Sequence, residues 1–293
     1  MFKSIFVPTT GFSNDPAALE TALAVARTFG GHLDCVHVHP DPSQIFMQAA
    51  GYDVGMGTGA AFAVGDIATA LQEEDSKRTE RSRKTFDAFC LREKLEQVSL
   101  APCPRAPTAA WTELMGREID ILTRQARVHD LTVIGHPTQW GGLTREMMGS
   151  MLLGSGRPLL LAPAKAPARL GETIAIAWKD TAESARAITA AMPFIAKARQ
   201  IVLINIAEHD AVTIEAVDAL ARNLRWHDVQ TDIRYLAHPC GSIHDTILTI
   251  AKEVSADMLV MGGYSHSRVS ELIFGGFTRH VLAGTELPIL MAH

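Results

Sequence analysis

The residues best suited to chemistry lie in one stretch near the C-terminus. It reads Met261-Gly262-Gly263-Tyr264-Ser265-His266-Ser267-Arg268 and, a few residues on, Gly275-Gly276-Phe277-Thr278-Arg279-His280. The stretch follows Asp257-Met-Leu-Val-Met-Gly262, a continuous apolar run of the kind that forms a buried parallel strand. Ligands of open α/β sheets bind at the carboxyl ends of such strands. Glycines let backbone approach a ligand closely, and Gly275-Gly276 stands just before an expected helix, Phe277–Ala283. A helix start offers unpaired N–H groups and a positive dipole end, which suits phosphate. Ser265, Ser267, Arg268 and Thr278 add side-chain donors, with His266 beside them. The competing reading is a glycine-rich connection that binds nothing. No G-x-x-x-x-G-K-[ST] loop occurs in the chain, and no G-x-G-x-x-G fingerprint follows either candidate first strand.

The elements that must position this stretch occur twice. Asp130-Leu-Thr-Val-Ile-Gly135 matches Asp257–Gly262, and the closing strands Pro158–Ala162 and Pro288–Ala292 match each other. At the starts, Ile5–Thr10 precedes a helix with apolar residues at Leu19, Ala22, Leu23, Ala26 and Phe29. Ile174–Lys179 precedes one with Ile188, Ala191, Met192 and Ile195. Both stripes have helical spacing, and strands follow at Leu33–His39 and Ile201–Ile206. Alternating strands and helices imply parallel sheets covered on both faces. The expected organisation is an α/β chain of two domains, 1–163 and 172–293, joined by a short linker, Ala164–Gly171. The first copy carries an insertion at 41–97, read as a Gly- and Met-rich loop over 41–70 and a charged helix over 73–97. That helix carries Phe86, Phe89, Cys90 and Leu95 on one side. The loop is either functional or a surface excursion. The interleaved charges Glu73-Glu74-Asp75, Lys77-Arg78, Glu80, Arg81 and Arg83-Lys84 read as a solvated helix face.

Composition narrows the classes. The 293 residues hold 27 Lys+Arg against 32 Asp+Glu, a net charge of −5. That balance lacks the cationic surplus of a broad nucleic-acid footprint, so no nucleic-acid partner is expected. No apolar run suits membrane insertion, and Pro8 interrupts the start before a signal-peptide core could form. A soluble, cytoplasmic protein is expected. Cys35, Cys90, Cys103 and Cys240 have no C-x-x-C spacing and are read as reduced packing residues. Trp111, Trp140, Trp178 and Trp226 occur singly and are read as packing too.

The strand and helix order, the run His266-Ser267-Arg268, the glycine at 275 and the helix with Thr278-Arg279-His280 resemble the universal stress protein family, as a tandem pair of its domains. That resemblance implies two Rossmann-like sheets of the adenine nucleotide alpha hydrolase type. Each has five parallel strands in the order 3-2-1-4-5, and the domains pair through their last strands. It also implies a division into ATP-binding and non-binding branches, the former marked by G-x2-G-x9-G-[ST]. Carried onto this chain, the motif falls on Gly262, Ser265, Gly275 and Gly276, so its second glycine and final hydroxyl are replaced. The family's carboxylate after the first strand falls on Lys179, and the adenine-flanking positions on Ala177, Ile206 and Met261. The implied ATP site therefore comprises Ala177, Lys179, Ile206, Met261, Gly262, Ser265, His266, Arg268, Gly275, Gly276, Phe277 and Thr278, with any magnesium accompanying the nucleotide. The first half has Thr10 at the carboxylate position and runs His136-Pro137-Thr138-Gln139-Trp140-Gly141-Gly142 after its strand. Pro137 lacks an N–H and stiffens the loop, so that half is read as a degenerate site.

Two functions are compatible with these residues. One is a stress-response nucleotide sensor working through the second half. The other is a scaffold that binds a protein or apolar ligand without nucleotide. Homodimerisation and an unidentified protein partner are expected with either. Neither a nucleophile–base pair nor paired carboxylates mark a dedicated active site. At most, slow ATP hydrolysis or phosphorylation of a loop hydroxyl is expected. His37 and His39 share a strand face, yet no carboxylate or cysteine joins them at useful spacing, so no metal is expected and packing is favoured.

Overall fold

A computed structural model describes residues 1–44, 47, 61–99, 106–136, 143–206, 214–236, 243–263 and 286–293. The first half runs β1 (Ser4–Thr9), α1 (Asp15–Phe29), β2 (His32–His39), α2 (Ala61–Glu93), β3 (Glu96–Gln97), β4 (Thr108–Met115), α3 (Glu118–Arg127), β5 (Leu131–Ile134), α4 (Arg145–Gly154) and β6 (Leu159–Leu161). The second runs β7 (Thr173–Trp178), α5 (Ala182–Ile195), β8 (Gln200–Ile206), α6 (Ile214–Arg225), β9 (Thr231–Leu236), α7 (Ile243–Glu253), β10 (Met258–Gly262) and β11 (Ile289–Ala292).

All these strands form one sheet, in the order β3-β4-β2-β1-β5-β6-β11-β10-β7-β8-β9. Each half thus has the order 3-2-1-4-5, with the two-residue β3 added at the edge of the first. Every pairing is parallel except one: β6 and β11 run antiparallel, Leu161 opposite Ile289 and Leu159 opposite Met291. The halves therefore meet through their last strands, as the resemblance implies.

The sequence accounts for this. Ile5, Phe6 and Val7 of β1, and Leu259 and Val260 of β10, are fully buried, as parallel strands covered on both faces require. One apolar layer holds α1, α2 and α5 on one face of the sheet, around Phe29, Phe86 and Phe194. The other holds α3, α4 and α7, around Leu122, Met148, Met151 and Ile250. Both layers cross the junction. Phe194 of the second half lies 5.2 Å from Phe2 and 4.9 Å from Phe29 of the first, the latter pair edge-on.

The paired aspartates that open the repeated strands have matching tasks. Asp130 accepts from the Lys3 and Ser4 N–H groups at 2.8 and 3.0 Å. Asp257 accepts from those of Gly171, Glu172 and Thr173 at 2.8, 3.0 and 3.3 Å. Each carboxylate thereby satisfies donors at the mouth of its first strand, which would otherwise lack partners.

The insertion helix differs from the expected 73–97. It begins at Ala61, so residues 61–70 are helical rather than loop, and it ends at Glu93. Its first turns mix Phe62, Val64 and Ile67 with Ala, Thr and Gly65, the last with open space around it, and the small residues around them mask the helical spacing. At the other end Lys94 adopts φ 55, and the Leu95 N–H closes on the Cys90 carbonyl at 2.9 Å. Phe86, Phe89 and Cys90 anchor the helix in the core as expected. At ~1.5 Å per residue its length is about 50 Å, well beyond the span of an eight-residue strand, and residues 65–74 are largely exposed.

Candidate functional site

The strand order reverses direction twice, between β1 and β5 in the first half and between β7 and β10 in the second. These are the topological switch points where α/β sheets open a ligand crevice. In the second half, Met261 sits opposite Ala177, which on its other side faces Ile204. Ala177 and Lys179 are half-buried at the carboxyl end of β7, and Met261 is 9% exposed. The backbone of Ile206 closes the neighbouring strand β8. Five residues of the sequence-derived site, Ala177, Lys179, Ile206, Met261 and Gly262, thus end three adjacent strands on one edge of the sheet. Ser265, His266, Arg268, Gly275, Gly276, Phe277 and Thr278 lie outside the described residues, as does the expected helix Phe277–Ala283.

Gly262 and Gly263 have a packing reason to be glycine. A Cβ on Gly262 would stand 2.7 Å from the Ser184 nitrogen and 2.9 Å from the Glu183 carbonyl carbon. On Gly263 it would stand 2.7 Å from Cδ2 of Leu152, a residue of the first half. On Gly135, the counterpart of Gly262, a Cβ would stand 2.8 Å from the Asn14 carbonyl oxygen. The repeated glycine therefore admits the N-terminus of the first helix against the fourth strand in both halves.

At the two switch points the chemistry then diverges. After β1, Asp15 accepts from the Thr10 N–H at 3.0 Å, the Thr10 hydroxyl at 2.8 Å and the Gly11 N–H at 2.7 Å. Asp15 is 3% exposed. Burial pushes its carboxyl upward, opposed by those donors and by Arg78. The insertion helix packs against this turn: a Cβ on Gly11 would collide with the Arg78 carbonyl, and Arg81 donates to the Gly11 carbonyl at 3.2 Å. Matching β1 to β7 places Ser184 at the position of Asp15. There a neutral hydroxyl, 3.3 Å from Thr181 Oγ1, replaces the carboxylate. Thr181 caps α5 by accepting from the Ser184 N–H at 3.3 Å.

The family model for the universal stress protein family matches residues 1–155 and again 172–293. This chain belongs to the universal stress protein family. Among solved structures, this universal stress protein is similar to one from Archaeoglobus fulgidus, with 13% identity, TM-score 0.62, and 99% of this chain and 96% of that one covered. It is also similar to a functionally unknown protein from Pseudomonas aeruginosa PAO1, with 18% identity, TM-score 0.54, and coverage of 99% and 92%. At these identities the likeness is one of fold. No match was found among curated proteins.

Sequence reasoning missed part of the first half's chemistry. Asp75, read as part of a solvated face, turns inward, with Oδ2 3.0 Å from His39 Nδ1. Glu113 of β4 meets His39 Nε2 at 3.0 Å. The charge run Glu73-Glu74-Asp75 gives no hint which of its members faces the sheet. Cys35 and Cys90 are buried free thiols. Burial holds Cys35 well above the ordinary thiol range and raises Cys90 to about 11, so neither is a nucleophile at neutral pH. Cys103 and Cys240 lie outside the described residues. Among the described residues no helix is long and apolar enough to cross a membrane.

Proposed function

We propose that this protein is a cytoplasmic stress-response sensor that binds one adenine nucleotide, ATP with its magnesium, in the crevice of its second half. The observation that carries this reading is the exchange of Asp15 for Ser184 at equivalent switch points. A buried carboxylate repels phosphate and already occupies the N–H donors of the first crevice. A serine does neither. Ala177 and Met261 supply the apolar walls that suit a purine. Ser265, His266, Arg268, Gly275, Gly276, Phe277 and Thr278 supply the phosphate donors, and binding alters a surface read by a second copy or a protein partner. Lys179, where the family's pattern has a carboxylate, favours a second reading, a scaffold that carries no nucleotide.

The test is to purify the chain without added nucleotide, denature it, and resolve the supernatant by ion exchange with mass detection, then titrate ATP by calorimetry. Close to one adenine nucleotide per chain, lost in Gly275→Val and kept in Gly142→Val, is the expected result. A protein that is empty and also fails to take up ATP would overturn it in favour of the scaffold.

A further inference from the structure

Where the insertion helix crosses β2, the first half gathers a set of ligand atoms that the nucleotide reading does not use. His37 and His39 lie on one face of β2, their rings 5.2 Å apart and nearly perpendicular. The insertion helix brings Asp75 to them, and one ligand atom from each of the three lies within 4.8 Å of the others. We propose that His37, His39 and Asp75 bind a divalent transition-metal ion of the zinc class.

The tautomers support the assignment. His37 is fully buried, and its Nδ1 lies 2.7 Å from the Thr9 carbonyl, which can only accept. Nδ1 therefore carries the proton, and the lone pair sits on Nε2. That atom is buried with no hydrogen-bond partner. A buried acceptor left unpaired costs about 1–3 kcal/mol, and a metal ion removes that cost. His39 presents its other nitrogen: Nε2 faces Glu113 at 3.0 Å, while Nδ1 lies 3.0 Å from Asp75 Oδ2 and 3.2 Å from the Thr79 hydroxyl, which the ion would displace. A carbonyl behind one ligating imidazole and a carboxylate behind the other is the outer-shell pattern that orients histidine ligands.

Spacing and charge are compatible as well. Tetrahedral zinc, at about 2.0–2.2 Å from nitrogen and oxygen, sets its ligands roughly 3.3–3.5 Å apart. The His39–Asp75 pair, at 3.0 Å, must open by a few tenths of an ångström, and the three ligand atoms, within 4.8 Å of one another, must otherwise draw together by an ångström or so. Arg78 opposes a cation here, 3.4 Å from the other oxygen of Asp75. Glu113 and the half-buried Glu118 of α3 offset it. An open recess of about 500 Å³, lined by His39, Thr79, Glu80, Lys84 and Glu113, borders His39 on its solvent side.

The experiment is calorimetric titration of the chelator-stripped full chain with zinc, with cobalt(II) absorption reporting geometry. One zinc per chain and an intense tetrahedral cobalt spectrum are expected. Asp75→Asn should lower affinity at least 100-fold, and Glu113→Gln, whose side chain is half exposed, about 10–100-fold. His227→Ala, in the exposed turn that follows α6 of the second half, should change nothing. A wild-type chain with no stoichiometric zinc would overturn the proposal. So would zinc whose affinity is unchanged in both Asp75→Asn and Glu113→Gln, since these variants keep His37 in the core and circular dichroism verifies their fold.

Discussion

Replacing Gly262 by alanine separates two explanations of the same glycine. Ordinary contact at a Cβ begins near 3.4 Å, and here the nearest atom, the Ser184 nitrogen, would be at 2.7 Å. The first turn of α5 must therefore retreat by about 0.7 Å. The obstacle is backbone on a helix whose other end is anchored by Phe194 and Ile195, both 1% exposed. Overpacking of this kind costs about 1–3 kcal/mol, and the absence of a side chain able to swing away places the value near ~2 kcal/mol. With a urea slope of about 3 kcal/mol per molar, the unfolding midpoint falls by roughly 0.7 M. Gly263→Ala is the internal contrast, because its obstacle is the tip of Leu152, which can rotate; its cost should stay below about 1 kcal/mol. The measurement is urea denaturation of nucleotide-free protein followed by circular dichroism. A Gly262→Ala variant with an unchanged midpoint but no nucleotide binding would refute the reasoning and return this glycine to the ligand.

Phe194→Ala should cost about 3–5 kcal/mol, since the ring is buried between Phe2 and Phe29 of the other half. It should also split a single thermal transition into two in calorimetry; a loss under about 1 kcal/mol would show that the junction depends on the strand pair alone. His129 gives a pH signature. Burial disfavours its charge, but hydrogen bonds to Asp34 at 3.0 Å and to the Gln125 carbonyl prevail, and its folded pKa lies above the ordinary 6.5. A raised folded pKa means stabilisation that is complete below pH 6.5 and is lost as pH rises through the folded value. Asp34→Asn should accordingly destabilise the protein at pH 5.5 more than at pH 9 in urea titrations, and an equal loss at both would refute the ion pair.

Much of the architecture could be read from apolar runs because parallel strands are buried on both faces. Val202-Leu203-Ile204 and Leu259-Val260-Met261 have few other ways to fold. The third strand of each half was not singled out, and its residues explain why. Thr108–Met115 becomes exposed toward its end, and Thr231–Leu236 alternates polar residues at the sheet edge. At the site, the strand-terminal residues Ala177, Lys179, Met261 and Gly262 were legible because strand ends are set by local pattern. Asp15, Asp75 and Glu113 were not. Their roles arise from a helix N-terminus, an insertion and a neighbouring strand meeting in space, and residue spacing carries no record of which charged side chain turns inward. The packing task of Gly262 stayed hidden for the same reason: permissiveness toward a ligand and toward a helix leave the same letter in the sequence.

The antiparallel seam between β6 and β11 makes the molecule a dimer of unequal partners fixed at one-to-one stoichiometry by covalent linkage. A symmetric pair of identical domains would present two equal crevices related by a twofold axis, and binding at one could bias the other. Here Asp15 occupies the N–H donors of one of them. Under the one-site reading proposed above, homotropic cooperativity within a single chain is absent. The isotherm of an isolated chain is then hyperbolic, and any control exerted from the first half is heterotropic, through a different ligand.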